Sequence, residues 1–180
     1  MRWTPLTLAT VVLATGFAAA APAALREPTN QSDVLFGDAA PNTFHAKAGN
    51  DLVDGLGAND TLFGDSGDDY IDGDYKERNP VFGVWGDDAL YGGKGSDWLQ
   101  GNEGNDTLYG GIGRDELDGG PDDDHLDGGA GRDLLFGDAG NDAINARDGV
   151  VDKVHCGGGI DTATADPKDR VDPDCETVTR

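Results

Sequence analysis

The chain has 180 residues, and its 35 acidic against 13 basic side chains give a formal net charge of −22. That balance argues against nucleic acid and anionic membrane surfaces as partners, since both attract basic proteins. Only 37% of the residues are hydrophobic, too few for a large conventional core. Of the acids, 30 are Asp and 5 are Glu. A merely solvated acidic chain favours Glu, whereas Asp is the short carboxylate of turns and hard-cation sites. With 29 glycines as well, the composition implies many tight turns that carry carboxylates.

The N-terminus reads as a secretory signal. Arg2 precedes an apolar or small run from Leu6 to Ala20, and small-residue sites follow at Ala18-Ala19-Ala20 and Ala21-Pro22-Ala23. The run is too short and too rich in Ala and Thr for a membrane span, and no other stretch could cross. Residues 1–24 are therefore set aside from the fold, and the mature chain is expected to be secreted and extracellular. In that setting the two cysteines, Cys156 and Cys175, are expected to pair. Zinc is a poor alternative, because no CxxC or HxxxH spacing exists.

From residue 28 the chain has a nine-residue period. Regular units read GGKGSDWLQ (92–100), GNEGNDTLY (101–109), GGIGRDELD (110–118), GGPDDDHLD (119–127), GGAGRDLLF (128–136) and GDAGNDAIN (137–145). GVWGDDALY (83–91), AKAGNDLVD (46–54), GLGANDTLF (55–63) and GDSGDDYID (64–72) share the frame, and 28–36 and 37–45 follow it weakly. Position 6 is Asp at Asp33, Asp51, Asp60, Asp69, Asp88, Asp97, Asp106, Asp115, Asp124, Asp133 and Asp142. Two residues after each of these Asp sits an aliphatic, from Leu35 to Ile144, while His45 and His125 fall at outward positions.

This pattern resembles the hemolysin-type calcium-binding (repeats-in-toxin) family, whose nonapeptide is GGxGxDxUx. The resemblance covers residues 28–145 and implies a parallel β-roll with Ca²⁺ in its turns. It marks Asp51, Asp60, Asp69, Asp88, Asp97, Asp106, Asp115, Asp124, Asp133 and Asp142 as the metal ligands.

Elementary geometry leads to the same fold class: all-β, a right-handed parallel β-roll (β-solenoid) of stacked nonapeptide repeats. A Gly-rich turn followed by a three-residue strand makes only short rungs. The middle side chain of each strand points inward and its two neighbours point out. Two nonapeptides close one coil, and coils stack at about 4.8 Å as parallel sheets. Such a thin core, with Asp columns that repel one another, calls for a divalent cation between turns. Carboxylates and turn carbonyls select Ca²⁺ over softer metals.

Turns on one edge should lie 18 residues apart. Counting 73–82 as a unit, one column is expected to carry Asp33, Asp51, Asp69, Asp88, Asp106, Asp124 and Asp142. The other is expected to carry Asn42, Asp60, Asp97, Asp115 and Asp133. Pairs such as Asp97 with Asp115, or Asp106 with Asp124, should share a cation. Asp54, at position 9, should face solvent.

Residues 73–82 (GDYKERNPVF) break the pattern with ten residues and no Asp at the ligand position. A solvated loop excursion is one reading; the other sets Arg78 as a built-in cation between Asp60 and Asp97. After 145 the repeat decays into echoes at Asp152, Asp161 and Asp169. Residues 25–145 are thus expected to form the roll, with 146–180 as a C-terminal cap pinned by Cys156–Cys175.

Neither HExxH nor GxSxG occurs, and no unrepeated segment is large enough for a catalytic domain. The expectation is a calcium-binding protein with a structural or interaction role and no enzymatic activity. Its partners would be calcium ions and an extracellular protein or cell surface. The alternative is a fragment-like relative of a calcium-dependent secreted hydrolase or toxin that lacks its catalytic domain.

Overall fold

A computed structural model describes residues 10–13, 28–38, 40–73 and 86–180. In chain order its strands are β1 (Thr10–Leu13), β2 (Asp33–Asp38), β3 (Thr43–His45), β4 (Leu52–Leu56), β5 (Thr61–Ser66) and β6 (Tyr70–Asp72). They continue as β7 (Ala89–Gly95), β8 (Trp98–Gln100), β9 (Thr107–Gly113), β10 (Glu116–Pro121), β11 (His125–Gly131) and β12 (Leu134–Ala139). The last are β13 (Ala143–Ala146), β14 (Lys153–His155), β15 (Thr162–Ala165), β16 (Arg170–Val171) and β17 (Thr177–Thr179). The even-numbered strands, with β1 beside β2, form one sheet; the remaining odd-numbered strands form the other. Every pairing is parallel, because each coil returns to the same sheet with the chain running the same way. No helix among the described residues is long and apolar enough to cross a membrane.

The core is a single file of position-8 side chains on each sheet. Leu62, Leu90, Leu108, Leu126 and Ile144 are register partners on one side. Val53, Ile71, Leu99, Leu117 and Leu135 are partners on the other. All of them are fully or almost fully buried. Strict period-two alternation in a three-residue rung leaves one inward side chain per strand, so the two files meet with nothing between them.

The irregular segment changes how the halves stack. Tyr70 is the register partner of Trp98, and Thr61 that of Ala89, so both steps span 28 residues where their neighbours span 18. The ten extra residues therefore add no half-coil to the register of the two sheets. This corrects the expected columns: with no half-coil at 73–82, Asp88 moves to the column of Asp60 and Asp97 to that of Asp69. Asp60 and Asp97 therefore sit on opposite edges, which removes the premise of an Arg78 bridge between them. Arg78 itself lies outside the described residues.

Beyond Asn145 the stack goes on. Leu134 pairs with Lys153 and Ala143 with Thr162, steps of 19, and Lys153 then pairs with Arg170, a step of 17. The segment after 145 therefore builds rungs of its own, tied together by the Cys156–Cys175 disulfide with Cα atoms 5.1 Å apart. At the other end, Val11 is the register partner of Val34. That strand falls inside the stretch read as a signal, and it covers the open edge of β2.

Positions 7 and 9 face outward, as at Trp98 and His125. Asp54 corrects this expectation, being only 4% exposed. It stands between its register neighbours Phe36 and Asp72, beside a turn. Asp72 is also buried, and it accepts hydrogen bonds from Asn102 Nδ2 at 2.8 Å and from the Tyr70 hydroxyl at 3.2 Å. On the opposite sheet, in-register stacking lines up His45, Phe63, Tyr91 and Tyr109, with ring centroids 4.1, 4.7 and 5.1 Å apart. Their faces are spent on one another, which makes this ladder a stabilising feature of the roll.

Candidate metal centres

Each turn ends on position 6, where the carboxylate folds back against the neighbouring coil. In the first column the members are Asp33, Asp51, Asp69, Asp97, Asp115, Asp133, Asp152 and Asp169. The backbone N–H of each donates to Oδ1 of the next at 2.7–3.1 Å. The second column runs Asn42, Asp60, Asp88, Asp106, Asp124, Asp142, Asp161 and Glu176, with steps of 2.6–2.9 Å. Each Asp thus orients the carboxylate of the coil beyond it, and the orientation propagates along the edge.

The second oxygen of these carboxylates is left over. Oδ2 of Asp51, Asp69, Asp97, Asp115, Asp124, Asp133, Asp142 and Asp161 is buried and accepts no hydrogen bond among the described residues. Buried acceptors without a donor are costly, so eight in one small protein need a physical reason.

The position-1 glycine shows where these oxygens point. A Cβ on Gly101 would lie 2.3 Å from Asp106 Oδ2 and 2.7 Å from the carbonyl oxygen of Gly119 on the next coil. A Cβ on Gly92 would lie 2.6 Å from both Asp97 Oδ2 and the Gly110 carbonyl oxygen. A carboxylate oxygen and a carbonyl oxygen of the adjacent coil therefore face the same small volume, which only glycine leaves open. Position 2 has its own requirement: it takes φ values of 106° at Gly93, 76° at Asn102 and 70° at Asp138, the left-handed region that Gly, Asn and Asp tolerate.

Electrostatics at these carboxylates favour a bound positive charge. Burial, only partly offset by the accepted N–H, pushes Asp69, Asp97 and Asp133 up to about 7 and Asp124 to about 8. Neighbouring carboxylates of the same column add to the rise in these four. Asp142 and Asp152 rise to about 6, and Asp51 and Asp115 also rise, burial leading in each case. A divalent cation would replace the protons that these groups hold near neutrality. Among the described residues no three His, Cys, Asp or Glu side chains form a metal-holding group. The donors on offer are instead carboxylates of one column together with turn carbonyls, an all-oxygen set suited to Ca²⁺.

A family model for the RTX calcium-binding nonapeptide repeat matches the chain in four copies, at residues 29–62, 45–74, 82–117 and 118–150. The chain belongs to this family. No curated protein and no solved structure matches it. As an RTX repeat protein it binds calcium, and its β-roll is the frame for doing so.

Of the aspartates marked in the sequence, Asp51, Asp69, Asp97, Asp115 and Asp133 come together on one edge of the RTX roll. Asp60, Asp88, Asp106, Asp124 and Asp142 come together on the other. The pairs Asp97–Asp115 and Asp106–Asp124 are direct neighbours. Asp152, Asp161 and Asp169, faint echoes in the sequence, also join the columns, although the spacing slips to 19 and 17 there. A second ladder at position 5 went unread. The N–H of Asn105 donates to Asp87 Oδ1 at 2.9 Å, that of Asp123 to Asn105 Oδ1 at 3.1 Å, and that of Asn141 to Asp123 Oδ1 at 2.7 Å. Its signal is the recurrence of Asn, Asp and Ser just before the position-6 acid.

Proposed function

We propose that this protein is a secreted calcium-binding β-roll, completed by extracellular calcium, that serves a structural or interaction role. The position-6 aspartates from Asp51 to Asp142 are its ligands, each cation held between neighbours of one column. The observation that carries this reading is the row of buried Oδ2 atoms without a donor, such as Asp97 Oδ2 and Asp142 Oδ2, each beside a carbonyl of the next coil. Secretion is supported by the apolar N-terminal run and by the disulfide. Residues 25–145 form the calcium-loaded roll, and 146–180 close its C-terminal end.

The test is far-UV circular dichroism of the full chain in EDTA, in magnesium and in calcium. Calcium should raise the β signal cooperatively, with a midpoint of roughly 10⁻⁴–10⁻³ M, as in extracellular modules. Magnesium should not substitute, because it demands a tighter octahedron than a flexible turn supplies. The same spectrum in all three solutions would exclude the reading.

A further inference from the structure

Residues 156–164 read CGGGIDTAT. They lie beyond the last family match, which ends at 150. Their turn nonetheless repeats the geometry of the regular units. Asp161 stands at position 6: the Asp142 N–H donates to its Oδ1 at 2.8 Å, and the residue is 0% exposed. Its Oδ2 accepts no hydrogen bond among the described residues. Gly159 stands at position 4. A Cβ there would lie 1.5 Å from the Gly140 carbonyl oxygen, as one on Gly113 would lie 1.4 Å from that of Gly95. At position 1 the glycine is replaced by Cys156. Its carbonyl keeps the role: a Cβ on Gly137 would lie 2.5 Å from Asp142 Oδ2 and 2.6 Å from the Cys156 carbonyl oxygen.

The substitution at position 1 falls in the next-to-last coil of its column. In a regular unit the position-1 Cβ would meet the unit's own position-6 carboxylate, as Gly101 would meet Asp106. The coil of Cys156 is succeeded by the one carrying Glu176, whose longer side chain reaches back to accept from the Asp161 N–H at 2.8 Å. The Cys156 side chain is buried and bonded to Cys175, one residue before Glu176. The disulfide thus ties down both the residue that offers the carbonyl and the neighbour of Glu176, which accepts from the Asp161 N–H.

We propose that Asp142, Asp161 and the carbonyl of Cys156 form a further calcium site outside the matched repeats, held in shape by the Cys156–Cys175 disulfide. This deepens the reading of the columns as calcium sites and rests on it.

The experiment is calcium stoichiometry by native mass spectrometry on the full oxidised chain, alongside Asp161→Asn and Asp106→Asn. Asparagine keeps an Oδ1 to accept the Asp142 N–H but removes the charge. Asp161→Asn should bind one calcium fewer while its disulfide and its β spectrum in saturating calcium persist. The same number of ions in Asp161→Asn as in the native chain, with Asp106→Asn reduced, would overturn this site and leave the columns standing. No calcium on the native chain would overturn both. If Asp161→Asn fails to fold, hydrogen exchange on the native chain decides: the amides of 157–161 should slow on calcium addition, and an unchanged rate would exclude the site. Reduction of the disulfide should raise the calcium concentration needed to protect those amides. The same midpoint before and after reduction would remove the disulfide from the proposal.

Discussion

Asp69 and Asp97 are direct neighbours in one column: the N–H of Asp69 donates to Asp97 Oδ1 at 2.8 Å across 28 residues of chain. Asp88, closer to Asp69 in sequence, accepts instead from Asp60 on the opposite edge at 2.6 Å. Groups joined by a hydrogen bond couple energetically; groups on opposite edges do not. A double-mutant cycle in calcium should therefore give an interaction energy of about 0.5–3 kcal/mol for Asp69→Asn with Asp97→Asn. The pair Asp69→Asn with Asp88→Asn should be additive to within roughly 0.5 kcal/mol. The reverse result would restore the column order expected from counting 73–82 as a unit.

The raised carboxyls set a pH dependence with a definite sign. Asp69, Asp97 and Asp133 titrate near 7 and Asp124 near 8 in the folded chain, against 3.8 for an unperturbed Asp. Between those limits the folded state binds more protons than the unfolded one. Without calcium the stabilisation is therefore complete below about 3.8 and is lost as pH rises through about 7 to 8. Chelated protein should gain β structure on acidification from pH 8 towards pH 5, as read by circular dichroism. Calcium binding near pH 7 should release protons, and calorimetry in buffers of different ionisation enthalpy measures that release. An uptake of protons would contradict the assignment.

Asp115 and its neighbour Glu116 should respond very differently to truncation. Asp115 is 1% exposed and its Oδ1 accepts from the Asp97 N–H at 2.9 Å, whereas Glu116 is exposed. Removing the Asp115 carboxylate leaves a buried N–H without its acceptor, at a cost of about 1–3 kcal/mol, and removes a proposed calcium ligand. Asp115→Ala should thus raise the calcium midpoint of folding, while Glu116→Ala should stay within about 0.5 kcal/mol of the native chain. Asp54 is not a suitable neutral control, since it is buried at 4% exposure.

Glycines that look alike in sequence should differ in tolerance. A methyl group on Gly101 would lie 2.3 Å from Asp106 Oδ2, whereas on Gly158 the nearest atom would be 4.0 Å away. Gly101→Ala should cost about 1–3 kcal/mol or more, because the stacked coils cannot part to make room. Gly158→Ala should be near neutral. Urea titration in saturating calcium compares the two, and equal midpoints would mean that Asp106 Oδ2 does not face the Gly101 backbone.

The nonapeptide alone determined the coil, the inward file from Leu35 to Ile144, and the neighbour relation of Asp97 with Asp115 and of Asp106 with Asp124. Those are local consequences of the period: within an unbroken run, residues 18 apart must occupy equivalent places. Column membership across the break was decided only by the tertiary structure. It depends on the parity of half-coils, and ten extra residues can either form a half-coil or loop out, with opposite results for Asp88 and Asp97. The same holds for Asp161, whose place at position 6 is masked by a ten-residue unit just before it and emerges when Ala143 pairs with Thr162. Burial of Asp54 likewise needed the structure, since position 9 points outward in every rung and only the neighbours above and below decide whether water reaches it. A repeat specifies which residues are equivalent; strand pairing across long separations specifies which of the equivalents touch.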